Sequence, residues 1–210
     1  MTDDRWYRHE TWDADIASAF EGKLRRARSK GQYLRIQASY LAEAHPRVAL
    51  EFLDRYFALG EAFDQAQAHV DRATAWLALG RAEDAFTSFE AALDRERVFP
   101  NLLTGAYLQL PYQIALAGAA HRYDQAVALL STAEDRLMFA VDHFMFHAAK
   151  AIIIAARDNV PDARAEATMA LEAAGREHSG FRYHPGVGLV SDRHAEALAV
   201  LRTLSVPTHW

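Results

Sequence analysis

Along most of this chain the apolar positions fall three and four residues apart, as in Ala49, Leu53 and Tyr56 or Ala85, Phe89 and Ala92. That spacing returns to one face of an α-helix. Alternation occurs in one place, where Phe181, Tyr183, Val187 and Leu189 are interleaved with Arg182, His184, Gly186 and Gly188. The pattern predicts helices over 13–29, 31–43, 46–58, 62–79, 82–95, 102–119, 122–134, 140–157, 160–174 and 191–204. Punctuation supports these limits. Asn159 precedes Val160-Pro161-Asp162, the form of an N-cap with proline and acid in the first turn. Asn101 and Ser191 stand where two more N-caps are expected, and Pro46 stands where a helix opens. Gly60, Gly80 and Gly175 stand where helices should stop. The short connections place consecutive helices antiparallel. The expected class is all-α, in a single domain over 1–210.

Composition sharpens this picture. Alanine, the strongest helix former, makes up about a fifth of the chain. Cysteine is absent, which excludes disulfides, thiolate metal sites and a cysteine nucleophile. No apolar run reaches the ~18 residues of a membrane-spanning helix. The acidic start, Met1 to Arg5, has no apolar run behind it, so no secretory signal is expected. A net charge of -5 argues against bulk nucleic-acid binding. These features together predict a cytoplasmic protein with no membrane partner.

Short segments recur when stacked. Arg81 to Leu93 carries a small residue at Ala85, a bulky one at Phe89 and a small one at Ala92. Ala73, Trp76 and Gly80 lie just before it. Tyr123, Ala126, Leu130 and Ala133 form another copy, and Ala49, Leu53 and Tyr56 another, with Tyr40 in the preceding helix. Ala163, Ala167 and Ala170 form a degenerate fourth. This pattern resembles the tetratricopeptide-repeat family. The first small positions, 49, 85, 126 and 163, are 36, 41 and 37 residues apart, against 34 in that family. A competing register exists, because Ala58-Leu59-Gly60 and Ala78-Leu79-Gly80 recur 20 residues apart.

The resemblance covers about 30–174 and implies a right-handed superhelix of four antiparallel helix pairs. Residues 1–29 would form an N-terminal helical extension. An extended loop over 175–190 would lead to a capping helix and tail over 191–210. It also implies that the first helix of each pair lines a concave groove. At equivalent positions there, His69 is followed by Arg72 and His147 by Lys150, with His143 one turn before His147. Asp71 and Asp142 flank these stripes, and Arg35, Gln37, Tyr112 and Gln113 are the comparable polar positions. Arg and Lys pair well with carboxylates and phosphates. Polar side chains in such positions can equally satisfy one another between helices.

His143 and His147 have the spacing of a helical metal pair, but no third ligand accompanies them, and neither metal nor cofactor is expected. No phosphate-cradling glycine loop, nucleophile elbow or dinucleotide fingerprint occurs. Arg182 and His184 could complete a site at the groove's end, or Phe181 and Tyr183 could plug the end of the array. The cations Lys23, Arg25, Arg26, Arg28 and Lys30 suit a helix C-terminus or an anionic contact. Trp6, Tyr7 and Trp12 should pack on the first helices.

The family resemblance implies a protein-interaction module that binds a peptide or protein partner, or a second copy of itself. Its expected contact residues are Arg35, His69, Asp71, Arg72, Tyr112, His143, His147, Lys150, Arg182 and His184. The alternative is a small-ligand receptor or enzyme whose His/Lys/Arg pocket is closed by loop 175–190.

Overall fold

A computed structural model describes residues 5–60 and 64–206. The fold is all-α, with about 70% of the chain helical and no strand among the described residues. The helices are α1 (Ala14–Arg26), α2 (Lys30–Leu41), α3 (Pro46–Ala58), α4 (Gln65–Ala78) and α5 (Ala82–Val98). They continue as α6 (Ala106–Leu116), α7 (Tyr123–Leu130), α8 (Ala140–Ala155), α9 (Val160–Ala174) and α10 (Ala195–Ser205). The chain forms two compact units, Met1–Ala106 and Tyr107–Trp210.

In the first unit α2 packs on α3 and α4 on α5, while α3 also packs on α4. Phe20, Leu34, Leu41, Phe52, Leu53 and Tyr56 form the core at the α1–α3 end. Each such side chain contributes roughly 1.5–3 kcal/mol when fully removed from water. The aromatic N-terminal segment covers this core as expected. Trp6 lies 4.8 Å from Tyr33, and Trp12 lies 5.3 Å from Phe52. Buried Gln37 holds the same segment by exchanging two hydrogen bonds with the main chain of His9.

In the second unit α8 packs along α9, α10 lies against both, and α7 rests on α8. Alanine has a common role in the two units. Ala49, Ala85, Ala126 and Ala163 are all at most 1% exposed. A side chain this small lets neighbouring helices approach closely, and larger residues such as Leu53, Phe89 and Leu130 fill the space beside it.

Most expected boundaries agree within a few residues, and the differences have local causes. Residues 62 and 63 of the expected 62–79 helix, and 207–210 of the tail, lie outside the described residues. Gly60 and Gly80 follow α3 and α4 with φ of +67° and +71°, a conformation glycine adopts without strain. Asn101 does not cap α6. The Thr104 hydroxyl, two residues before the first residue of α6, accepts from Ala106 N at 3.2 Å. Buried Glu96 fixes Thr104 in turn by accepting from its backbone N–H and its hydroxyl. Helix α7 stops at Leu130, where the Ser131 and Thr132 hydroxyls donate to carbonyls three residues back. Ser191 precedes a 3-10 turn over Asp192–His194, which delays α10 to Ala195. Asn159 caps α9 as expected, its side chain accepting from Asp162 N.

The 175–190 segment is folded into turns. Ser179 N donates to Pro185 O at 2.9 Å, and the Ser179 hydroxyl donates to His184 O at 2.7 Å. The segment reaches α8 at Gly188, whose carbonyl accepts from Val141 N at 2.8 Å. Phe181 and Tyr183, expected to plug the end of an array, are 49% and 79% exposed.

Candidate functional site

In the first unit the expected residues form two clusters. Arg35 reaches from α2 to α4, donating to Asp71 at 3.2 Å, with Asp64 3.4 Å from its Nε. Gln67 donates to the other Asp71 oxygen at 3.0 Å. Burial pushes the Asp71 carboxyl up, opposed by the hydrogen bond from Gln67 and by Arg35. Asp64 stands at the N-cap of α4 in the left-handed conformation without a capping hydrogen bond, and its carboxylate pairs with Arg35.

His69 and Arg72 face α3. The His69 ring stacks on Phe57 at 4.6 Å, and Arg72 pairs with Asp54 at 2.6 Å. Burial, then the charges of Arg72 and Arg95, lower the His69 pKa to about 4. The ring is therefore neutral at physiological pH.

In the second unit His147 and Lys150 meet one carboxylate on α9. His147 Nδ1 lies 2.7 Å from Glu166 Oε2, and Lys150 pairs with Glu166 Oε1. Glu166 is 8% exposed. Burial alone would raise its pKa, but the hydrogen bonds from His147 and Lys150 and their charges outweigh this and lower it. An ionised carboxylate only accepts, so the His147 proton facing it sits on Nδ1. His143 stacks parallel to His147 with ring centres 6.5 Å apart. Burial, then Arg176, lowers its pKa.

The two His–cation pairs, expected at equivalent positions of a repeat, face different neighbours. The first pair packs back onto α3, whereas the second packs forward onto α9. Tyr112 is buried, with its hydroxyl 2.9 Å from His194 Nδ1 and its ring against Phe144. Burial raises the Tyr112 pKa and lowers that of His194. Arg182 and His184 are exposed on the 175–190 turns, and no described contact joins them to His143, His147 or Lys150. No three His, Asp or Glu among the described residues are grouped to hold a metal ion.

A pocket of about 320 Å³ opens between α7 and α8. Val127 and Leu130 line it from α7, and Phe146, Ile153 and Ile154 from α8. Lys150 and Arg157 bring two cations to it, and Glu134 and Ser131 complete its polar lining. Helical periodicity explains this arrangement. Phe146, Lys150 and Ile153 are spaced four and three residues apart on α8, so they form one stripe, and Arg157 follows in the turn after the helix. Lys150 was expected at a site, but Val127, Leu130, Phe146 and Arg157 were not. The stripe on α8 was the available signal. A smaller pocket of about 200 Å³ in the first unit is lined by Ala66, Arg95, Phe99, Leu102 and Leu103 with Asp64 and Thr104.

The sequence matches no protein-family model, and comparisons with curated proteins and with solved structures find no match.

Proposed function

We propose that this chain is a tetratricopeptide-like binding module that holds a protein or peptide partner through the α7–α8 pocket of its second unit. The observation that carries this reading is the pocket itself: about 320 Å³, predominantly apolar, with a few polar groups at fixed positions. Ligand-binding clefts have that composition, with apolar walls supplying affinity and a small number of polar groups setting orientation. Val127 is 42% exposed, so an apolar edge of the pocket is open to an incoming group. The burial of Ala49, Ala85, Ala126 and Ala163 at repeat-like intervals supports the family part of the reading.

The test is affinity isolation from the source cells with the wild-type chain and Val127→Trp as parallel baits. The indole would occupy the pocket from its exposed edge. A partner recovered by the wild type and lost with the variant supports the reading. A partner recovered equally by both, with both baits folded by circular dichroism, overturns it.

A further inference from the structure

We infer that the α7–α8 pocket recognises an acidic partner segment that buries one apolar anchor side chain. This rests on the binding reading above and adds the chemistry of the partner. The apolar part follows from the walls, where Val127 is 42% exposed and Ile154 half-buried, with buried Leu130, Phe146 and Ile153 behind them.

The acidic part follows from how the two cations are held. Arg157 pairs with Asp124 at 2.6 Å, but the Asp124 side chain is 98% exposed. Such a pair contributes little, and Asp124 returns to water without penalty when Arg157 turns to another carboxylate. Lys150 pairs with buried Glu166, which His147 also holds. When Lys150 swings to a ligand, Glu166 keeps its hydrogen bond from His147. Stranding a buried charge with no partner is the costly outcome in such exchanges, and the bond from His147 reduces that cost. Both cations are therefore available to an anionic segment although each has a partner in the free chain. The remaining charge at the pocket, Glu134, is exposed and stays hydrated.

The experiment is amide chemical-shift titration of the full chain, isotope-labelled, with three acetylated peptides. The first is Ser-Glu-Glu-Leu-Glu-Glu-Ser, the second has glycine for the leucine, and the third has lysine for every glutamate. The expected result is saturable shifts at Val127, Ser131 and Arg157 with the first peptide. Binding should weaken about fivefold or more with the lysine peptide and with Arg157→Glu, since ~1 kcal/mol of ion pairing is about that factor, and at least as much with the glycine peptide, which has no side chain to bury. The Arg157 side chain is 47% exposed, so its replacement leaves the core intact. Equal binding of the glutamate and lysine peptides would overturn the acidic specificity while leaving the pocket as a binding site. No perturbation by the first peptide would overturn the inference outright. The Val127→Trp isolation then decides the broader reading by itself.

Discussion

Replacing Glu166 with Gln tests whether the His147–Glu166–Lys150 cluster is an ionic lock between α8 and α9. The substitution keeps the shape and removes the charge. In the wild type one carboxylate, 8% exposed, accepts from two donors. The amide offers one oxygen, so at least one of the donors loses its acceptor. Hydrogen bonds to charged groups are worth about 1.5–3 kcal/mol. Lys150 is 34% exposed and recovers part of its loss from water. A net cost of about 2 kcal/mol follows, which for a chain of this size lowers Tm by about 4–8 °C.

The pH dependence is a stricter check. The folded state holds the Glu166 pKa below its ordinary 4.5. The unfolded chain therefore takes up the proton first as pH falls, so acid removes the stabilisation. Thermal melts from pH 7 to pH 3 should show the full gap between wild type and Glu166→Gln above about pH 6. The gap should narrow as pH falls below 4.5 and through the depressed folded value. Glu172→Gln, at an exposed position on the same helix, should stay within about 0.5 kcal/mol of wild type throughout. Equal Tm values for wild type and Glu166→Gln at pH 7, or a gap that does not change with pH, would refute the lock.

Three further outcomes follow from the same geometry. His69 is neutral when folded because its pKa is lowered to about 4, so wild-type stability should decline as pH falls from 6.5 towards 4. His69→Phe, which keeps the stack on Phe57, should flatten that part of a pH–stability profile. Gly188 has φ of +67°, and a Cβ there would lie 2.4 Å from the Phe139 ring. Gly188→Ala should therefore cost more than the ~1–2 kcal/mol of left-handed strain alone, with faster amide exchange at Val141 as the local readout. Ala85→Leu should destabilise by about 1–3 kcal/mol in chemical denaturation through overpacking, whereas Ala78→Leu at an exposed position should be near neutral.

The helices were legible because their signals are local. Ala85, Phe89 and Ala92 announce a buried face by spacing, Gly60 and Gly80 announce left-handed stops, and Asn159 announces a cap. The start of α6 failed because its deciding contact is not adjacent in sequence: Glu96 anchors Thr104, eight residues on, and the helix opens at Ala106 rather than after Asn101. The candidate site was harder to read for the same reason. His147 and Lys150 were visible as a polar stripe, but their partner Glu166 lies 19 and 16 residues further on. Its signal was an acid on the alanine face of α9, beside Ala163, Ala167 and Ala170. The α7–α8 pocket depends on which face of α8 meets α7, and spacing on one helix does not determine that.

The most direct test of the binding claim is photo-crosslinking in the source cells from a benzophenone amino acid at Ser131, an exposed residue lining the pocket. A discrete protein adduct is expected, one that disappears when Val127→Trp is added and does not form from the same probe at exposed Glu172. Adducts of equal yield from 131 and 172, or an adduct at 131 that survives Val127→Trp, would contradict the binding claim.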